Sequence, residues 1–180
     1  AKSLQEDTLI AGCKNQDRRA QKALYDLHAP KMLGICRRYL GQQADAEDAL
    51  LNGFFKALSQ IDTFEDKGSF EGWLRKIMVN ECLMALRKRL RFPEAAELSD
   101  VQLRTSEDPM TIMAANDLMA MVAKLPEGYR TVLNLHAIEG YKHHEIATML
   151  GISINTSKSQ LILAKQKLRN MVGQNAYPEA

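Results

Sequence analysis

No stretch of this chain is apolar for long enough to cross a bilayer, and no charged-then-apolar leader opens it. The expectation is therefore a cytoplasmic protein without membrane insertion. Strand signals are equally scarce. Period-two runs of β-branched or aromatic residues are missing, and aromatics make up only 6% of the residues, which argues against a sheet anywhere. Cysteine is sparse too. Cys13, Cys36 and Cys82 form an odd, widely spaced set inside apolar helical patterns, so they read as buried thiols rather than a disulfide framework or metal ligands. No glycine-rich phosphate loop follows a strand, and no HExxH or CxxC pair occurs. His136, His143, His144 and Glu145 invite a metal reading, but adjacent His143 and His144 diverge around a helix and are read as solvated or DNA-facing. Carboxylates gather at helix starts and in one connector, where capping and solubility account for them. No catalytic residue, metal or cofactor is expected.

What is present is helical. Hydrophobic residues reach 46%, supplied mostly by Leu, Met, Ala and Ile, and 180 residues suffice for two small domains. The expected fold is all-α: two small helical domains joined by a flexible acidic linker, the second carrying a helix-turn-helix. A net charge of +2 is too small to indicate nucleic acid, but its distribution is uneven. Arg75, Lys76, Arg87, Lys88, Arg89 and Arg91 face only Glu81. Residues 92 to 108 then hold Glu94, Glu97, Asp100, Glu107 and Asp108 against Arg104. A basic helix end precedes an acidic connector, which sets the expected boundaries at 1–91 for the first domain, 92–108 for the linker, 109–173 for the second domain and 174–180 for a frayed tail.

Along the first domain, a helix over residues 1 to 14 is followed by one capped by Asp17, with Pro30 read as the first residue of a further helix ending at Gly41. The next helix opens at Asp45, with Asp45, Glu47 and Asp48 in its first turn, where the helix dipole favours carboxylates. Leu50, Leu51, Phe54, Phe55 and Leu58 cover more of its girth than one core stripe needs. Its second face fits either a partner or a burial on two sides. From Ile61 to Ser69 the period lapses, with Phe64 and Phe70 at the edges of a polar loop containing Lys67. Ser69 caps a helix whose core side is expected at Trp73, Leu74, Ile77, Met78, Cys82 and Ala85, with Arg75, Lys76, Val79, Asn80, Leu83 and Arg87 opposite. Aromatics beside a polar loop and a basic helix suit single-stranded nucleic acid, since rings stack on bases and cations follow the backbone. For Trp73 alone, core packing is the stronger explanation, since a lone Trp at a helical core position more often packs than stacks on a base.

Pro109 starts the second domain and Pro126 a later helix. The segment from Tyr141 to Leu168, YKHHEIATMLGISINTSKSQLILAKQKL, then reads as two helices across a tight turn: Gly151 stops the first and Ser153 caps the second. Ile154, Ser157, Leu161, Ala164 and Leu168 form an inward stripe. Asn155, Thr156, Lys158, Ser159, Ile162 and Gln166 are left on the other face. In a helix-turn-helix that face enters the major groove, where Asn and Gln suit adenine edges and Lys suits guanine or phosphate. A helical hairpin with a solvated face has the same pattern.

Three ordered stretches, DAEDALLNGFFKAL at 45 to 58, SFEGWLRKIMVNECL at 69 to 83 and the segment from Leu125 to Arg169, resemble the two-domain bacterial sigma factors of the extracytoplasmic-function type. The resemblance implies a promoter-specificity subunit that acts with core RNA polymerase and promoter DNA, with an anti-sigma protein as a further partner. It implies polymerase docking by Asp45, Glu47, Asp48, Leu51, Asn52 and Phe55, although Leu51 and Asn52 stand where Gln and Glu are common. The minus-ten strand would meet Phe64, Lys67, Trp73, Lys76, Asn80, Arg87 and Lys88. The minus-thirty-five duplex would meet Asn155, Thr156, Lys158, Ser159, Gln160 and Ile162. Gln160, Ile162 and Leu163 occupy places often basic or polar, so phosphate contacts should be fewer, and Ile162 suits a thymine methyl or an inhibitory partner.

Two other readings compete. A dimeric helix-turn-helix regulator independent of polymerase would bind paired half-sites one helical turn apart, whereas a sigma factor binds two unlike elements as a monomer. A helical adaptor would show no salt-sensitive DNA affinity. Lys158→Ala is expected to weaken duplex binding broadly, through loss of a phosphate or guanine contact, in a filter-binding titration over several sequences.

Overall fold

The computed structural model describes residues 4–90, 92 and 115–176, and every element among them is helical. The chain divides into two compact units, Ala1–Lys88 and Arg89–Ala180. The expected linker (Phe92 apart) and the expected helix start at Pro109 lie outside the described residues.

The first unit contains α1 (Leu4–Lys14), α2 (Arg18–Leu40), α3 (Gln43–Ser59), a 3-10 turn (Ile61–Thr63) and α4 (Phe70–Arg87). Asp17 caps α2 by accepting from the Arg19 N–H at 2.8 Å, as the sequence indicates. Pro30, expected to open a new helix, instead lies inside one continuous α2. Proline removes the bond to the carbonyl of residue i−4, here Asp26. Both Pro30 and Asp26 are exposed, so water can serve that carbonyl. Meanwhile His28, Met32, Ile35 and Cys36 carry the buried face past the break.

α3 starts at Gln43, two residues before the expected Asp45, and of the three acidic residues only Asp45 falls in the first turn. The core-facing side of α3 is Ala46, Ala49, Leu50, Gly53, Phe54 and Ala57. A Cβ at Gly53 would overlap the Met78 Sδ, so the glycine lets α3 and α4 approach closely. Lys56 pairs with Glu81 across the same contact at 3.0 Å, and Lys31 of α2 pairs with Glu71 of α4 at 2.5 Å.

α4 buries Phe70, Leu74, Met78, Val79, Cys82, Leu83 and Leu86. Val79 and Leu83 were expected on the outer face, whereas Trp73, Ile77 and Ala85 are only half-buried. The buried arc is rotated and widened because α4 packs on both α2 and α3. Each such fully buried side chain contributes roughly 1.5–3 kcal/mol. Cys13, Cys36 and Cys82 are buried free thiols.

The second unit contains α5 (Ala115–Ala123), α6 (Glu127–Leu133) continued by a π-helical turn over Asn134–Ile138, α7 (His143–Leu150) and α8 (Ile154–Ala176). Met121, Val122, Leu125, Val132, Leu135, Ile146, Leu150, Leu161, Ala164 and Leu168 form its core. Buried Arg130 ties α6 to the end of α5 by donating to the Ala123 carbonyl at 3.0 Å. α8 continues through Ala176, beyond the expected start of the tail at residue 174.

Gly151 closes α7 in the left-handed conformation, φ 67° and ψ 38°, with its N–H on the Ala147 carbonyl. The Ser153 Oγ accepts from the Thr156 N–H at 3.0 Å. Both punctuation marks stand where the sequence puts them. Gly151→Ala is expected to destabilise the second unit by about 1 kcal/mol through left-handed strain, read as faster amide hydrogen exchange in α7 and α8.

Candidate nucleic-acid and polymerase interface

Three surfaces hold the residues singled out by sequence. The first is a cleft of about 390 Å³ between the 61–69 loop and the start of α4, lined by Thr63, Phe64, Glu65, Lys67, Gly68, Ser69, Gly72, Trp73 and Lys76. Ser69 caps α4 by accepting from the Gly72 N–H at 3.0 Å, which joins the loop to the helix. Asp66 has a positive φ of 59°, and the Gly68 N–H returns to the Asp66 carbonyl at 3.0 Å, so the loop turns back on itself. The aromatic floor is a cluster: Phe64 and Phe70 meet edge-on at 5.4 Å, and Trp73 lies 5.5 Å from each.

Phe64 is buried, which corrects its expected role as a ring offered to bases; it supports Trp73, which is half-exposed. Lys67 is exposed and paired with Glu65 at 2.6 Å, a surface pair of little energetic weight. Lys76 and Asn80 are exposed one and two turns beyond Trp73, and Arg87 and Lys88 are exposed at the end of α4. Thr63, Glu65, Gly68 and Ser69 belong to the polar loop singled out by sequence without being named one by one, whereas Gly72 was not anticipated.

The second surface is the outer side of α3. Leu51 is 57% exposed and Phe55 78%, one turn apart, with Asn52 and Asp48 exposed beside them. Glu47 is exposed and engaged by the Gln43 amide, and Asp45 is half-buried. Together Leu51 and Phe55 leave an uncovered apolar patch on a helix whose other side is packed.

The third is the helix-turn-helix. Asn155 and Lys158 are exposed, Ser159 and Ile162 are half-exposed, and Gln166 is exposed, giving one stripe along the first half of α8. Two residues expected to meet the duplex are buried: Thr156 at 7% exposure and Gln160 at 4%. The Thr156 hydroxyl lies 2.9 Å from the Ser153 Oγ inside the turn, and Gln160 packs where α8 passes Gly128 of α6. α8 packs against both α6 and α7, so its buried arc takes in polar residues. Ile154, expected inward, is 45% exposed because it precedes that contact. The Ser159 hydroxyl donates to the Thr156 carbonyl at 3.0 Å.

His143 is not a freely solvated side chain. Its Nδ1 lies 2.9 Å from the buried Ser157 Oγ, and its ring stacks on His136 at 4.6 Å. His144 is exposed. Desolvation first, then His136, Lys158 and Lys165, hold the His143 imidazole below its ordinary value near 6.5. Glu145 serves the start of α7, accepting from the Lys142 N–H at 2.7 Å.

Two helical units, the second built on a helix-turn-helix, define the class of two-domain helix-turn-helix proteins. Sigma-70 region 2 matches residues 24–92, and Sigma-70, region 4 matches residues 115–168. The chain belongs to the RNA polymerase sigma factors of the extracytoplasmic-function type. It is 30% identical over 159 residues to the ECF RNA polymerase sigma factor SigE of Mycolicibacterium smegmatis, covering 85% of this chain and 62% of that protein. It thus spans less than two thirds of that relative. The ECF RNA polymerase sigma-E factor of Haemophilus influenzae is 27% identical over 185 residues, covering 96% of this chain and 97% of the relative. In fold, the chain is similar to CnrH in complex with the cytosolic domain of CnrY, with a TM-score of 0.51, 23% identity and 95% and 99% of the two chains covered.

The His143 geometry has a pH consequence. The unfolded chain takes up this proton near 6.5, and the folded unit takes it up only at lower pH. The unfolded state therefore binds more protons in between, so stability is fully present above 6.5 and falls as pH drops through that value. An NMR titration should show the depressed His143 midpoint. Denaturation of the second unit should be easier at about pH 5 than at about pH 7.5, with His143→Gln flattening the difference.

Proposed function

We propose that this chain binds core RNA polymerase and directs promoter-specific initiation, reading a melted minus-ten strand with the first unit and a minus-thirty-five duplex with the second. The carrying observation is that the aromatic and basic cleft and the helix-turn-helix fall in two separate units that match regions 2 and 4 in order. In the cleft, Trp73 supplies a ring for a base while Lys67, Lys76, Arg87 and Lys88 follow the backbone, and Asn80 hydrogen-bonds the strand. On α8, Asn155, Lys158, Ser159 and Ile162 meet the groove, Lys158 by charge and Ile162 through a thymine methyl. Thr156 and Gln160 support this surface from beneath.

Leu51, Asn52 and Phe55 form the polymerase contact, with Asp48 and Glu47 around them and Asp45 at the helix start. The exposure of Leu51 and Phe55 supports this assignment. An anti-sigma protein is a further partner, as CnrH itself is captured with the cytosolic domain of CnrY. The activity is non-catalytic and takes place in the cytoplasm, where polymerase and promoter are found.

Pull-down with core polymerase, followed by mapping of start sites on genomic fragments, tests the whole reading. Specific initiation supports it; duplex binding without polymerase binding would favour the dimeric regulator. Phe55→Asp is expected to weaken polymerase binding about tenfold or more, as loss of an exposed aromatic anchor does, while duplex affinity stays unchanged. Altered duplex binding instead would remove α3 from the docking role.

A further inference from the structure

α1 lies ahead of the segment that matches region 2, yet it reaches the cleft. Lys14, its last residue, donates from Nζ to the Phe64 carbonyl at 3.1 Å in a half-buried bond. Phe64 is the residue from which the 65–69 loop leaves the core. Its N–H is held by the Ile61 carbonyl at 3.1 Å and its ring supports both Phe70 and Trp73. The same helix makes a second contact with the cluster. Glu6 Oε1 lies 2.7 Å from the Nε2 of buried His28, whose ring packs 5.3 Å from Phe70.

α1 therefore braces two members of the Phe64, Phe70 and Trp73 cluster, one through its backbone and one through a histidine. Residues 65 to 69 are all exposed, and Lys67 pairs with Glu65 at the surface. A charge-assisted bond from the Lys14 ammonium fixes the root of this loop.

We propose that α1 is a positioning element for the cleft: Lys14 holds Phe64, and through Phe64 the ring of Trp73, in the geometry that receives single-stranded nucleic acid. This rests on the proposed reading of the cleft. Lys14 touches no base; it reduces the ordering that binding would otherwise require.

Trp73 is the single tryptophan of the chain, so its fluorescence reports on the cleft directly. The full chain and its Lys14→Met and Lys14→Arg variants are titrated at low salt with single-stranded DNA of about 12 nucleotides and random sequence. The expected result is quenching of the wild-type protein, about tenfold weaker binding by Lys14→Met, a shifted Trp73 emission in that variant before DNA is added, and restoration of both by Lys14→Arg. A folded Lys14→Met protein with unchanged emission and wild-type affinity overturns the proposal. So does an equal loss in Lys14→Arg, which would mark a packing effect. If the wild-type protein is neither bound nor quenched, the reading of the cleft fails instead, and the emission of free Lys14→Met still decides whether Lys14 positions Trp73. Should Lys14→Met not fold, Lys14→Gln replaces it in the same titration.

Discussion

The first unit depends on α4 being held from two sides. Met78 meets Gly53 of α3 and Cys82 meets Cys36 of α2, while Leu74, Val79, Leu83 and Leu86 complete a buried arc too wide for a single partner. This double packing leaves a narrow free strip on α4, and Lys76 and Asn80 occupy it with the edge of Trp73. A helix so constrained cannot turn about its axis without burying a cation. The candidate strand-binding surface is thus the remainder after the core has taken what it needs.

A similar economy governs the helix-turn-helix. α8 has to satisfy both α6 and α7, so Ser157 and Gln160 go into the interior with Leu161, Ala164 and Leu168. The exposed stripe is narrower than its polar residues suggest, and what remains is Asn155, Lys158, Ser159, Ile162 and Gln166. His143 is drawn into the same packing through Ser157, which couples α7 to α8 by a polar contact. Such a contact is specific but sensitive to protonation.

α3 shows the reverse case, a helix with more apolar surface than its core uses. Phe54 points in, against Tyr25 at 4.8 Å, and Phe55 points out. Adjacent aromatics on one helix cannot share a face, so one of them had to be offered to solvent or to a partner.

Much of this was legible from residues alone. The helices, the caps at Asp17, Ser69 and Ser153, the stop at Gly151 and the buried cysteines all follow from local rules: a side-chain oxygen to satisfy a free N–H, a glycine for a left-handed turn, a 3.6-residue apolar period. The residues that make up the three candidate surfaces could be named from the sequence, because charge and aromatic clusters are properties of the chain. Tertiary packing decided how far the buried side of each helix extended. It carried α2 through Pro30, since the loss falls on the exposed side, and it rotated the buried face of α4 toward Val79 and Leu83. It put Phe64, Thr156 and Gln160 inside and brought Lys14 to the Phe64 carbonyl. Helical periodicity defines a stripe, but the width of the buried arc depends on how many neighbours the helix has, and contacts between residues far apart in the chain leave no trace in local pattern.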